Sequence, residues 1–263
     1  GMLTSQSAVE AWFPLRELTM EFFSENAGAL DATNCISIGI HLRRVRLRPA
    51  GDFTPLSDIA PEHQTGLLCP IEVPTGPACG LVLTVARGAE IRGGALVRKE
   101  SRTNASEQPD PVSVLGPTAS YIPFIERSDP ARLIMGANMM RQWIVPLAHE
   151  PAMVQTGTEP DSPDFWGGFN LMTAYASFGR LTYEDAMVVS ESAAARMQCA
   201  APLAVGDKLS NRHGQKGVVS RILPDSKMPR IPDGRTVDIL FSFSGLHTRM
   251  NSGELWEAVY SWL

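Results

Sequence analysis

The chain has 263 residues, 44% of them hydrophobic, with 23 Lys and Arg against 28 Asp and Glu, a formal net charge of -5. That length and apolar content suffice for one sizeable core or two modest ones and exclude disorder as a description of the whole. The acidic balance argues against a free-standing protein that grips nucleic acid through its overall charge, and leaves room only for a local basic face.

Cys35, Cys69, Cys79 and Cys199 stand at wide, irregular spacings without a CxxC pair or a Cys/His metal pattern, so neither a structural zinc nor a disulfide framework is expected. Met2 to Val9 is polar and no apolar run reaches the length of about 18 residues that a membrane span needs. No leader and no membrane partner are therefore expected, and the expected compartment is the cytoplasm. Gly1 before Met2 is set aside as a scar of tag removal. The 22 glycines and 20 prolines point to many turns and short strands.

In chain order, residues 7–32 have the spacing of one or two surface-packed helices, with Trp12, Phe13, Leu15, Leu18, Phe22 and Phe23 as the buried stripe. Arg43, Arg44, Arg46 and Arg48 follow closely on His41, and their alternation with Val45 and Leu47 predicts a strand or extended loop with one basic face. Such a face meets phosphates, an acidic partner or only solvent. The run CPIEVPTGPACGLVL, 69–83, sets three prolines and two glycines around Glu72 and predicts a rigid presenting loop. Residues 101–113 are a polar connector, in which Asn104 to Ser106 matches a glycosylation pattern that has no meaning in a cytosolic protein. Residues 130–147 open with a proline suited to a first helical turn, end at Pro146, and use Met135, Met139 and Met140 as core filling. From about Asn170, short apolar runs broken by glycine turns predict a small closed barrel.

Lys208 and Lys216 lie eight apart with Arg212 and His213 between them and Gly206, Gly214 and Gly217 around them. Both ammonium groups can converge on a polyanionic phosphate there, or the segment is a solvated basic turn. The glycine pattern is not that of a nucleotide-binding phosphate loop. Glu184 and Asp185 are adjacent, so in a strand they face opposite sides and cannot form a facing carboxylate pair; they fit a lysine partner, a metal or a surface turn. Arg249, ahead of a short terminal helix, fits a phosphate oxygen or a salt bridge. No serine nucleophile elbow, HExxH site or dinucleotide fingerprint is present.

Five segments in order resemble the beta subunit of multisubunit DNA-directed RNA polymerase. LCPIEVPTGPACGLV is similar to that family's CPxExPEGxxCGLV signature, with Thr75 where the family has Glu. SYIPFIERSDPARLIMGANMMRQWIVPL is similar to its IPFxEH and MGxNMxRQ block, with Arg127 in place of the histidine. YEDAMVVSE, GDKLSNRHGQKGVVSRILP with MPRIPDGRTVDILF, and GLHTRMNSGELWE resemble the remaining three, and together the matches span roughly residues 37–258.

The resemblance implies a mixed α+β, mainly β chain: an N-terminal fork-side region over 1–110, a helix-containing connector over 111–165, a double-psi beta-barrel over 166–252 and a terminal helix over 253–263. It implies that Lys208, Lys216 and Arg249 serve the RNA 3' end and the nucleotide phosphates, with Arg141, Arg212, His213 and Gln215 around the phosphates. Glu184 and Asp185 would stand near a metal, and Arg43, Arg44 and Glu72 near nucleic acid.

Only 192–205 join the YEDA and GDK blocks, where the family carries a long insertion, and the family's large N-terminal lobes and clamp anchor are not seen. The resemblance thus implies a compact, divergent or truncated relative, cytoplasmic or nucleoid-associated, or in a host cell if viral. No DFDGD-like aspartate motif occurs, so Mg2+ is expected to be held mainly by a beta-prime-like partner with an aspartate triad. DNA template, RNA and nucleoside triphosphates complete the expected assembly, and the chain alone should not polymerise RNA. The alternatives are a non-catalytic polymerase-derived regulatory or binding module and a component of a small-molecule nucleotidyltransferase.

Overall fold

The computed structural model describes residues 15–46, 64–99 and 110–263. Trp12, Phe13, Leu47, Arg48 and the 101–109 part of the polar connector lie outside the described residues. Two compact units are present, 1–31 and 32–263.

The described residues of the first unit include helix α1 (Leu15–Asn26). Leu15, Leu18, Phe22 and Phe23, expected as a buried stripe, are all exposed. Amphipathic spacing records only a face that is able to bury, not one that is buried.

The second unit begins with α2 (Cys35–His41), whose first turn is closed by a reciprocal cap between Asn34 and Ser37. Strand β1 (Arg44–Arg46) pairs antiparallel with β2 (Val82–Thr84), so the arginine alternation does mark an extended segment. β3 (Ala89–Arg92) and β4 (Ala95–Arg98) form a hairpin whose two-residue loop is Gly93-Gly94, both at positive φ. Two helices follow, α3 (Pro117–Ser120) and α4 (Pro130–Met140), the second capped by Asp129 and opening on its proline. α4 ends at Met140, earlier than the expected limit at Pro146, because Trp143, Ile144 and Val145 ahead of that proline favour extended backbone. Ile36, Ile40, Tyr121, Ile122, Leu133, Met140 and Phe165 make the core beneath these helices.

The remaining strands are β5 (Thr173–Tyr175), β6 (Ala186–Ser190), β7 (Lys208–Ser210), β8 (Lys216–Leu223) and β9 (Ile239–Phe241). They form one sheet in the order β5-β9-β6-β8-β7, with β5–β9 and β6–β8 parallel and β6–β9 and β7–β8 antiparallel. Val189, Met187, Val219, Ile239 and Phe241 pack on one face; Val188, Leu240, Met228 and Val237 pack on the other. This is why β6 is a continuous apolar run and not an alternating one. Each such aliphatic side chain stabilises the fold by about 1.5–3 kcal/mol.

The expected mainly β fold with a closed double-psi beta-barrel is corrected on both counts. Among the described residues β5 pairs only with β9 and β7 only with β8, so the sheet is open at two edges, and helical residues outnumber strand residues. The stretch after β8 forms no further strand: Pro224, Pro229 and Pro232 lack ladder donors, and the segment makes only an isolated bridge, Arg230 to Thr236. Helices α5 (Glu191–Arg196), α6 (Phe243–Thr248) and α7 (Ser252–Tyr260) complete the unit.

Candidate active site

The hairpin β7–β8 carries both lysines, and its register decides where they point. Lys208 stands opposite Val218, and Ser210 opposite Lys216. Directly opposed residues share a face and so do residues two apart in a strand. Lys208 and Lys216 are therefore on one face as diagonal neighbours, at the ~7–8 Å spacing of such pairs. Burial agrees: Lys208, Lys216 and Val218 are exposed, while Gly217 and Val219 are buried. Neither lysine makes an ion pair among the described residues.

The turn between the strands is shaped by Asn211, whose side-chain oxygen accepts from the backbone N–H groups of His213 and Gln215, both at 3.0 Å. Gly214 adopts φ 77°, and a Cβ there would collide with the Arg132 carbonyl of α4. Gly217 is required for a different reason. Its Cβ would strike the Asp185 carbonyl, which accepts the Val218 N–H at 2.9 Å, so the entry to β6 runs hard against β8.

Asp185 pairs with Arg249, which lies at the end of α6 and also donates to Gln215 Oε1 at 3.2 Å. Gln215 is 2% exposed. Glu184 and Met250, the neighbours of the two paired residues, both hold φ at 50° without being glycine, a left-handed conformation of the kind that surrounding structure must impose. Glu184 is exposed and unpaired among the described residues. A groove lined by Arg180, Tyr183, Glu184, Ser242 and Ser244 opens beside it. One locality thus brings together Lys208, Lys216, Gln215, Arg249, Asp185 and Glu184. The Asp185–Arg249 pair is partly exposed, at 43% and 18% for the two side chains. Pairs reached by solvent contribute only ~0–1 kcal/mol, although the Asp185 oxygen that meets Arg249 is itself buried.

The other expected residues lie elsewhere or turn inward. Arg212 donates to the carbonyls of Tyr121 (3.0 Å) and Val154 (2.8 Å) and pairs with Glu257. His213 is fully buried against Glu257. Arg141 bonds Asn138 at the end of α4 and, with Arg43, flanks Glu72. Arg43 is spent on the carbonyls of Val85 and Ala86, and Arg44 is a half-buried residue of β1. Glu72 is 7% exposed and accepts from the Ala119 N–H at 2.8 Å. Burial raises its carboxyl to about 7, against the opposing pull of the Ala119 and Thr118 N–H groups and the Arg141 and Arg43 charges. No group of three or more His, Cys, Asp or Glu that could hold a metal forms among the described residues, and Asp185 is already engaged, so the residues of this site do not make a metal cage.

Sequence reasoning missed the Asp185–Arg249 pair, which joins positions 64 apart and leaves no local signal. It also missed Arg132, a cation without an ion pair among the described residues, whose carbonyl abuts the lysine turn. Gly136, inside α4, was the available clue: a Cβ there would meet the Arg212 carbonyl, and an isolated glycine in a helical pattern marks a close approach.

Among the described residues no helix is long and apolar enough to cross a membrane. Residues 196–263 match the family model described as RNA polymerase Rpb2, domain 6, and residues 29–91 match RNA polymerase Rpb2, domain 3. The DNA-directed RNA polymerase subunit beta of Myxococcus xanthus is 55% identical over 60 residues, 23% of this chain and 4% of that protein. That of Thermosynechococcus vestitus is 52% identical over 58 residues, 22% of the chain and 5% of the relative; that of Thermosipho melanesiensis is 52% identical over 62 residues, 24% and 5%. The matched stretches thus span about a twentieth of the length of these relatives. Two separate family matches and half-identical stretches thus make this chain similar, over those segments, to the beta subunit of multisubunit DNA-directed RNA polymerase.

Proposed function

We propose that the chain forms the beta-type half of an RNA polymerase active centre. The observation that carries this reading is the register of β7–β8, which presents two unpaired lysines on one face, beside an arginine held by a partly exposed carboxylate. Three cations of this kind suit the oxygens of a triphosphate, on which charge accumulates as the bond to the leaving pyrophosphate breaks. Lys208 and Lys216 would face the RNA 3' end and the incoming nucleotide, and Arg249 the triphosphate.

In the reaction the 3'-hydroxyl oxygen bonds to the α-phosphorus, the bond to the β-phosphate oxygen breaks, and pyrophosphate leaves with the electron pair while the hydroxyl proton passes to solvent. This chain's part is to bind and orient phosphates. Mg2+ would be held by the carboxylates of a beta-prime-like partner and would supply charge neutralisation there. DNA template, RNA and nucleotides join the same assembly.

The test is RNA extension by this chain assembled with a beta-prime-type subunit, template, nucleotides and Mg2+. Lys216→Ala should lower the extension rate by about 10²-fold or more, the scale of losing one preorganised charge at a developing anion, with assembly intact. An unchanged rate in the intact assembly refutes the role.

A further inference from the structure

We propose that Glu257 is a positioning residue for the phosphate-facing lysines, its single carboxylate holding the apex of the lysine hairpin to α7. The inference rests on the reading of Lys208 and Lys216 given above and names the part that keeps them in place.

The apex is formed by consecutive residues, Arg212 and His213, and both reach the same carboxylate. Arg212 engages Glu257 Oε1, and His213 Nε2 faces Oε2 at 2.7 Å. Two adjacent side chains converging on one group fix the direction of a turn, as one contact cannot. A second tie comes from Asn251, whose side-chain amide donates to the His213 carbonyl at 3.0 Å and to Glu254 at 3.1 Å. Glu254 is in turn hydrogen-bonded by the Tyr175 hydroxyl of β5. On the opposite side the apex rests on α4, where Gly136 and Gly214 allow backbone contact.

The segment 249–260 therefore does two things at once. It carries Arg249 immediately before α7, and through Asn251 and Glu257 it grips the turn three residues ahead of Lys216. β7 is a three-residue edge strand paired on one side only, so the α7 ties add to the Arg249–Gln215 hydrogen bond in setting the distance of the hairpin from Arg249. Burial alone would raise the Glu257 carboxyl, but the His213 hydrogen bond and the Arg212 charge outweigh it and hold the group ionised, below the usual carboxylate range. Arg212 would keep its two carbonyl acceptors without Glu257, whereas the His213 ring would lose the one hydrogen bond that orients it. The anchor is thus separable from the fold.

The experiment compares the full chain with Glu257→Gln, which keeps the volume and removes the charge, by backbone hydrogen exchange and by calorimetric titration with inorganic tripolyphosphate. The expected result is exchange at residues 211–216 faster by about tenfold with β6 amides unchanged, the mark of local opening. Tripolyphosphate affinity should fall about fivefold, the scale of a misaligned charged contact. Should that variant fail to fold, His213→Asn breaks the same link from the other side and is expected to give the same local pattern. Unchanged exchange at 211–216, or an equal acceleration at β6, overturns the proposal. Lys216→Ala is the separate control: if it leaves tripolyphosphate binding at the wild-type level, the phosphate reading itself falls, and the exchange data alone decide whether Glu257 positions the hairpin.

Discussion

Replacing Glu72 with glutamine should change both the stability of the protein and the way that stability depends on pH. The carboxyl is raised from an ordinary 4.5 to about 7, chiefly by burial. A group that holds its proton more tightly in the folded chain favours folding while protonated. Its full contribution is present below pH 4.5 and is lost as pH rises through about 7. At ~1.4 kcal/mol per pH unit, the loss between pH 5 and pH 8 is about 2.5 kcal/mol.

Glutamine still accepts from the Ala119 N–H, but its amide occupies the position of Oε2, which has no hydrogen-bond partner among the described residues. That mismatch costs about 1–3 kcal/mol at every pH and cancels when the two pH values are compared. Urea denaturation of both proteins at pH 5 and pH 8 reads the difference directly. Wild type should lose about 2.5 kcal/mol more than Glu72→Gln over that interval. Parallel pH dependence in the two proteins would refute the reasoning and mean that Arg43 and Arg141 keep Glu72 ionised throughout.

Gly217→Ala should destabilise the chain by about 1–3 kcal/mol, the usual cost of overpacking, because the new methyl would meet the Asp185 carbonyl and the Met187 side chain; a melting temperature equal to wild type contradicts that close approach. Asp185→Asn should leave stability within ~1 kcal/mol, since the pair is partly exposed, and should strengthen tripolyphosphate binding by releasing Arg249. Weaker binding in a calorimetric titration would show that Asp185 orients Arg249 and does not compete for it.

The segments most legible in the sequence were those in which one residue type does one job. Pro130 marked the start of α4, and the short apolar runs after Asn170 marked strands such as β6. The lysine hairpin was legible as a chemical motif but not as a geometry. An eight-residue spacing does not say which face either lysine takes, and only the register with Ser210 and Val218 does. Arg212 and His213 carried the same basic signal as the lysines, yet they turn inward, because Glu257 and two backbone carbonyls offer a closer set of partners than solvent. The barrel expectation failed for a related reason. Short strands and glycine turns report local extension and reversal, while closure depends on pairing between the first and last strands of a sheet, and β5 and β7 each have only one neighbour.

The division between inward and outward cations shows how an acidic chain can present a local basic face, as the proposed function requires. Arg212, Arg43 and Arg141 are held by carbonyls, an amide side chain or nearby carboxylates, and their charge adds little to the field outside. Lys208 and Lys216 are exposed and unpaired among the described residues, and Arg249 is held by one partly exposed carboxylate. These three cations form a local basic cluster within a chain whose overall charge is -5. A cluster of exposed cations of this kind favours the approach of a polyanion. Tripolyphosphate binding there, if the proposed function holds, should weaken with salt, since exposed charges are screened over a Debye length of ~8–10 Å at physiological ionic strength, whereas the inward arginines and the fold they hold should respond far less.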